Sequence, residues 1–251
     1  MWKYYRQSVT GLPRNLWVLF AAVLVNHSGT MVLPFLALYL SKELGLPASG
    51  ATLVVSAYGA GILAAAVIGG ALADRFGYRR IMVLSLAGAG VLMLGLAAMR
   101  SYTAVLVATF ALSLSTGMFR PPAMAAAAAM VPPEAQPRSM ALIRWAINMG
   151  MTIGPAVGGF LAAWSYTALF VVDAATSGAA AVVLLLFYAK DKNGAAVTAP
   201  GTAPPASTGG PAPWLNPPFL VFGLVLFGVG LIAYQHLSTL PLFVRLTCGL
   251  P

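Results

Sequence analysis

The sequence predicts an all-α membrane protein, and three observations lead to that fold class. Hydrophobic residues make up 60% of the 251 residues, whereas charged residues make up only 8%. A soluble domain carries about a quarter of its residues as charges. The apolar residues fall into long runs, and a transmembrane helix needs about 20 predominantly apolar residues. Short stretches rich in glycine, proline or arginine separate these runs, which is the punctuation expected between membrane helices.

Length and punctuation define seven candidate membrane helices, which we number span 1 to span 7. They cover approximately residues 16–40, 50–73, 81–99, 103–129, 140–163, 166–189 and 217–243. An arm of residues 1–15 precedes them. Residues 190–216 consist largely of alanine, proline, glycine, serine and threonine and cannot bury a core, so we expect a flexible linker there. The predicted domains are therefore the arm 1–15, a six-span unit 16–189, the linker 190–216 and a last segment 217–251.

The positive charges are distributed as the positive-inside rule requires for a cytoplasmic N-terminus. With that orientation, nine lysines and arginines lie in cytoplasmic segments and three lie outside. The net charge of +9 is scattered between apolar runs, which argues against a nucleic-acid-binding face. The single cysteine, Cys248, excludes an internal disulfide and a cysteine metal cluster. We therefore expect the lipid bilayer, and no nucleic acid, as the surroundings of this chain.

Two spans carry signals for a break in the helix. Span 1 has a polar run, Asn26 to Thr30, followed by Pro34, which suggests a bent helix facing a cavity. Span 4 contains Pro121-Pro122, which removes two backbone donors and predicts a kink.

The turn between spans 2 and 3 has the pattern G-x-L-A-D-R-x-G-x-R-R over residues 70–80. This pattern resembles the loop between helices 2 and 3 of the major facilitator superfamily of transporters. The resemblance implies a fold of two six-helix halves, of which this chain would hold the N-terminal half, the linker and the first helix of the second half. It also implies a conformational latch formed by Gly70, Asp74, Arg75, Gly77, Arg79 and Arg80, with Tyr78 replacing a residue that is more often basic. The alternative is a plain positively charged loop.

Span 5 contains G-x3-G-P-x2-G-G, formed by Gly150, Gly154, Pro155, Gly158 and Gly159. The run resembles a motif of the drug:proton antiporter branch, where it is associated with export. Physically, it gives a helix face with few side chains, against which another helix can pack closely. Ordinary helix packing is the alternative interpretation.

Several polar residues within the spans are candidates for charge or proton handling. Arg120 and Arg144 are predicted to belong to a charge cluster near the cytoplasmic side, with snorkelling to lipid headgroups as the alternative. Asp173 is the only acid within a span, and it could carry a proton or act as a structural hydrogen-bonding group. Many drug antiporters carry an acid in helix 1, where this chain has Asn26 and His27. The candidate proton or substrate cavity therefore comprises Asn26, His27, Asn148, Asp173, Gln235 and His236.

Span 7 repeats features of span 1. Leu33-Pro34-Phe35 corresponds to Leu240-Pro241-Leu242, a histidine precedes each proline, and Gly45-Leu46-Pro47 corresponds to Gly249-Leu250-Pro251. Transporters of this superfamily consist of two such halves as a parallel repeat. Span 7 is thus expected to open a second half, and the sequence is expected to be a truncated or partial transporter.

The resemblance implies a secondary transporter of the multidrug-resistance type in the inner membrane, which exports small organic compounds in exchange for protons by alternating access. Two alternatives remain open. The chain could be a nutrient facilitator or importer, or a non-transporting fragment that needs a complementary half. A membrane enzyme is disfavoured because the sequence has no catalytic motif, no metal-binding motif and no nucleotide-binding loop, and no cofactor is expected.

Overall fold

The structure is a computed structural model that describes residues 11–189 and single backbone positions between 216 and 229. The chain divides into two compact units, Met1–Val197 and Thr198–Pro251. In the second unit, the positions described after residue 216 are helical, at the predicted start of span 7. Gln235, His236 and Cys248 lie outside the described residues, as do most of the arm and the linker.

The first unit is all-helical over its described residues. Its helices, numbered in chain order, are α1 Arg14–Ser28, α2 Val32–Lys42, α3 Ala48–Phe76, α4 Tyr78–Ala98, α5 Tyr102–Gly117, α6 Arg120–Ala129, α7 Gln136–Trp164 and α8 Tyr166–Phe187. A 3-10 turn, Pro133–Ala135, leads into α7. Five segments of the described chain are long and apolar enough to cross a membrane, counting α5 with α6 and the 3-10 turn with α7. Span 1 is divided into α1 and α2, each of which is shorter than a bilayer crossing.

Both predicted breaks are present, and proline chemistry explains them. Pro34 has no N–H to donate to the carbonyl of Thr30, one turn earlier, and the helix is interrupted at residues 29–31. Pro121 and Pro122 lie in the first turn of α6, where helices tolerate missing donors, and α5 ends just before them at Gly117. The prolines therefore begin new helical segments inside spans 1 and 4.

The turn between α3 and α4 consists of a single residue, Gly77. Its φ of 89° lies in the left-handed region, which a residue with a Cβ adopts only at a cost. The Gly77 N–H donates to the carbonyl of Ala73 at 2.8 Å, which closes the last turn of α3. This geometry allows two long membrane helices to run antiparallel with almost no loop. We call this end of the helix bundle the Gly77 end and the opposite end the Arg100 end.

The bundle is built from helix pairs: α4 packs along α8, α3 packs along α5, and α1 packs on α7 and α8. Two buried apolar clusters result. One, toward the Gly77 end, includes Leu16, Leu19, Met82, Ile143 and Leu184. The other, toward the Arg100 end, includes Leu36, Leu40, Val54, Leu112 and Phe170. The α1 residues of the first cluster stop before Asn26 and the second cluster begins at Met31, so the break in span 1 lies between the two clusters.

Small residues set the spacing between α3 and α5. Gly61 and Gly69 are buried, and a Cβ at Gly69 would lie 2.9 Å from the Cα of Met118. The outward faces, in contrast, carry large apolar side chains such as Phe160 and Trp164, each 83% exposed. Apolar exposure on this scale is normal for a surface that meets lipid.

Candidate functional site

The candidate site is centred on the break in span 1. The last turn of α1 carries two polar side chains, His27 and Ser28, that bond to carbonyls on their own helix. His27 Nδ1 lies 3.0 Å from the Val23 carbonyl oxygen, and Ser28 Oγ donates to the Leu24 carbonyl at 2.8 Å. A carbonyl only accepts, so Nδ1 carries the hydrogen and Nε2 of the neutral ring remains as an acceptor. The half-buried His27 therefore turns Nδ1 toward its own helix, in the last turn before the break.

The three glycines of the span 5 motif that lie four residues apart form the surface on which the break rests. Gly150, Gly154 and Gly158 are all buried. A Cβ at Gly150 would lie 2.5 Å from the His27 Cβ, and a Cβ at Gly154 would lie 3.2 Å from the His27 carbonyl oxygen. The predicted close approach of a partner helix is therefore present, and the partner is span 1.

The other two motif residues have different environments. Pro155 is exposed, and Gly159 is half-buried, with space for a Cβ at 3.8 Å from the Phe35 ring. The motif thus presents one packed stripe and one open face. Only the stripe is needed to explain the contact with span 1.

The opposite wall of the break is formed by α8. The carboxylate Oδ2 of Asp173 accepts hydrogen bonds from the backbone N–H groups of Met31 and Val32, each at 3.3 Å. One turn later, Ser177 Oγ donates to Asn26 Oδ1 at 3.4 Å. Asp173 is only 4% exposed. Of its two predicted roles, the hydrogen-bonding role is seen directly in the structure, whereas proton carriage stays a prediction.

The structure brings some of the predicted cavity residues together and separates one from them. Asn26, His27 and Asp173 surround the break. Asn148 is exposed on α7, two residues before the buried Gly150, so it points to a different side of that helix. Gln235 and His236 lie outside the described residues, so their part in the cavity stays a prediction.

Most residues of the predicted latch are exposed, whereas Arg79 forms hydrogen bonds within the first unit. Asp74 lies in the last turn of α3 and is exposed, and a Cβ added at Gly70 would meet nothing within 4 Å. Arg75 and Arg80 are also exposed, and the Arg75 guanidinium lies 5.3 Å from the ring centroid of Phe76. The side of the loop that carries Asp74 is thus open within the first unit.

Arg79 has a role that the sequence did not reveal. Its Nε donates to the carbonyl of Leu184 at 3.4 Å, and its Nη2 donates to the carbonyl of Leu185. These carbonyls belong to the last turn of α8. The Leu184 carbonyl also accepts the Tyr188 N–H at 3.3 Å, whereas the next N–H, that of Ala189, donates to Asn15 Oδ1 instead of the Leu185 carbonyl. Arg79 therefore caps span 6 and fixes the loop to it. No sequence signal identified this contact, because it depends on which two spans end side by side.

Arg120 and Arg144 are both exposed. Arg120 is the first residue of α6. Arg144 lies two turns into α7. Their assignment to one charge cluster with Asp74 stays a prediction. Among the residues that the structure describes, no group of three or more histidine, cysteine, aspartate or glutamate side chains could hold a metal ion.

Comparison with solved structures shows the fold. A peptide transporter POT in complex with sulfate matches 96% of this chain and 48% of its own chain, with a TM-score of 0.65 and 21% identity. The same transporter in complex with alafosfalin gives a TM-score of 0.64 and 24% identity over 95% of this chain.

Comparison with curated proteins identifies bacterial relatives. The uncharacterized MFS-type transporter YqjV of Bacillus subtilis is 29% identical over 163 residues, or 64% of this chain and 40% of YqjV. The quinolone resistance protein NorA of Staphylococcus aureus is 27% identical over 156 residues, or 62% of this chain and 40% of NorA. The chain thus spans about two fifths of the length of these relatives.

The family model of the Major Facilitator Superfamily matches residues 18–251, which is nearly the whole chain. The match includes the loop at residues 70–80 and the glycine run of α7. The chain is therefore a multi-pass membrane protein that belongs to the major facilitator superfamily.

Proposed function

We propose that this chain forms part of a secondary active transporter that exports small organic compounds in exchange for protons by alternating access. The proposal places it in the inner membrane with a cytoplasmic N-terminus, as the charge distribution predicts. The observation that carries it is the contact between the glycine stripe of α7 and the break in span 1. The stripe belongs to a motif that resembles the drug:proton antiporter branch, and the break lies at the centre of the bundle.

The geometry suggests how such a protein could change its access. At the break, residues 29–31 are not part of a continuous helix, so α2 can change its angle relative to α1 without losing a helical ladder. Gly150, Gly154 and Gly158 offer backbone rather than side chains to the moving segment. A contact of this kind can shift without forcing several side chains into new rotamers.

The loop at residues 70–80 is proposed to act as the latch. Asp74 and the space beside Gly70 are open within the first unit, whereas Arg79 anchors the loop to α8. An open acid on an anchored loop suits a contact with a second half of the transporter. Asp74→Asn is therefore expected to reduce transport at least severalfold while leaving membrane insertion intact. Wild-type transport rates in that variant would remove the latch assignment.

Two other functions remain candidates. A nutrient facilitator or importer would use the same fold in another direction, and the similarity to peptide transporters shows only the fold. The other candidate is a unit that transports only together with a complementary half, because transporters of this superfamily place the substrate site between two halves. The substrate class is suggested by NorA, a quinolone resistance protein, which makes quinolones suitable first probes. Apolar fluorescent dyes serve as probes of the proposed export of small organic compounds.

The experiment is dye uptake into everted membrane vesicles that contain the chain, with and without an acid-inside pH gradient. Proton-coupled export predicts concentrative uptake that stops when a potassium/proton exchanger collapses the gradient. A facilitator would give uptake to equilibrium, independent of the gradient, and would contradict the proposal. A third outcome is that the chain alone gives no uptake, but uptake depends on the gradient once the remaining spans are supplied as a second polypeptide. That result would assign transport to an assembled pair of halves.

A further inference from the structure

The buried carboxylate of Asp173 holds the first turn of the outer segment of span 1. Val32 is the first residue of α2, and its N–H donates to Asp173 Oδ2 rather than to a helical carbonyl. The N–H of Met31 also donates to Oδ2, and it additionally approaches the Gly29 carbonyl oxygen at 2.6 Å. The break created by Pro34 thus leaves backbone donors that an acid on a different helix satisfies.

The charge of the carboxylate matters for this contact. The N-terminus of a helix carries a partial positive charge, and an anion placed there is stabilised by the helix dipole and by the free N–H groups. Hydrogen bonds to an ionised acceptor are roughly twice as strong as those to a neutral one. A proton added to Asp173 would therefore weaken both bonds to the start of α2.

Few other ionisable groups face Asp173. From α1, His27 lies two residues before the break, and its Nδ1 is bonded to the Val23 carbonyl. The α4 helix, which packs along α8, carries no charged side chain between Ile81 and Ala98. On α7, Arg144 lies two turns into the helix toward the Gly77 end, and on α2, Lys42 lies at the far end. The two backbone amides are the hydrogen-bond donors to the carboxylate.

We propose that Asp173 is a proton-binding clamp between α8 and the break in span 1, ionised when it holds the start of α2 and protonated when α2 is released. Because binding and conformation are linked reciprocally, movement of α2 would in turn change the proton affinity of Asp173. This inference deepens the proposed function and rests on it, since it gives the coupled proton a site and a mechanical effect.

The surrounding contacts provide a matched control. Ser177 donates a neutral hydrogen bond from the same helix to Asn26, on the other side of the break. Ser177→Ala removes a contact between α8 and span 1 without removing a charge. A purely structural role for this interface predicts that Ser177→Ala and Asp173→Asn have similar effects, whereas the clamp predicts different ones.

The test is hydrogen exchange, measured by mass spectrometry on the full chain in lipid nanodiscs, of the peptide that contains residues 29–34. For the wild type, we expect protection of this peptide to fall about tenfold when the pH is lowered from about 9 to about 5, after correction for intrinsic exchange rates. Asp173→Asn should show the low protection at every pH. Ser177→Ala and His27→Gln should both keep the pH response. A wild-type peptide with pH-independent protection, or an unchanged response in Asp173→Asn, would overturn the proposal.

A second measurement follows the carboxyl group itself. Infrared difference spectra of the wild type should show a protonated carboxylic acid band that is absent from Asp173→Asn and whose titration follows the exchange of residues 29–34. If the band that Asp173→Asn removes titrates independently of that exchange, the clamp is contradicted. The vesicle assay distinguishes failure of the clamp from failure of the proposed function. If the protection of residues 29–34 depends on pH but dye uptake does not depend on the gradient, the clamp is retained and proton-coupled export is rejected. If dye uptake depends on the gradient but the protection of residues 29–34 does not depend on pH, proton-coupled export is retained and the clamp is rejected.

Discussion

The Arg79 side chain donates a hydrogen bond to the main-chain carbonyl of Leu184, 105 residues later in the sequence, with 3.4 Å between Nε and the carbonyl oxygen. This contact connects the start of α4 to the last turn of α8. It makes one arginine of the motif at residues 70–80 a structural cap inside the six-span unit. Asp74, Arg75 and Arg80 of the same motif are exposed, and their side chains are not used in this cap.

Replacement of Arg79 should therefore destabilise the end of α8. A hydrogen bond to a charged group contributes about 1.5–3 kcal/mol, so Arg79→Ala should lower the melting temperature in detergent by a few degrees. Arg80→Ala is the matched control, because Arg80 is exposed at the neighbouring position. Equal melting temperatures for the two variants would argue against the cap.

The glycine stripe of α7 provides a second prediction. A Cβ at Gly150 would lie 2.8 Å from the backbone carbon of His27, which is closer than real contacts allow. Gly150→Ala should cost about 1–3 kcal/mol through overpacking, measured as a lower unfolding midpoint. Gly159→Ala, on the same helix, has ordinary van der Waals space and should be neutral or slightly stabilising. If Gly159→Ala lowers the unfolding midpoint more than Gly150→Ala does, α7 is rotated about its axis relative to its position in the structure.

Adjacent glycines near the end of α3 give a third prediction. A Cβ at Gly69 would lie 2.9 Å from the Met118 Cα, whereas a Cβ at Gly70 would meet nothing within 4 Å. Gly69→Ala should therefore lower stability, while Gly70→Ala should preserve it. If the loop is a latch, Gly70→Ala should still reduce transport, because its open side would contact a second half. If Gly70→Ala lowers stability as much as Gly69→Ala does, Gly70 packs against a helix of this unit, and the assignment of its open side to the latch is wrong.

Cysteine accessibility should report the orientation in the membrane. In a Cys248→Ser background, Ser101→Cys at the Arg100 end should react with a membrane-impermeant maleimide on intact cells. Glu134→Cys at the Gly77 end should react only after the cells are opened. Both positions are exposed in the structure. Labelling of Glu134→Cys on intact cells would invert the topology that the charge distribution predicts.

The sequence predicted the helices well because membrane spans depend mainly on length and punctuation. Pro34 and Pro121-Pro122 predicted both breaks, since a missing N–H is a local property. The residues that contact those breaks could not be predicted from the sequence. That Gly154 faces the His27 carbonyl, or that Asp173 meets Val32, depends on helix rotation, and the spans are too uniformly apolar to set it.

The most direct test of this account is whether the glycine stripe of α7 contacts the break in span 1. Met31→Cys and Gly158→Cys, paired in a Cys248→Ser background, place two Cβ atoms 3.0 Å apart. Their crosslink can be detected on a non-reducing gel after cleavage at a protease site inserted between α4 and α5. We expect mild oxidation to keep the two fragments together for this pair but not for Met31→Cys with Phe160→Cys, which faces outward. Crosslinking of the outward pair, with none for Gly158, would contradict the placement of the break on which the proposed function rests.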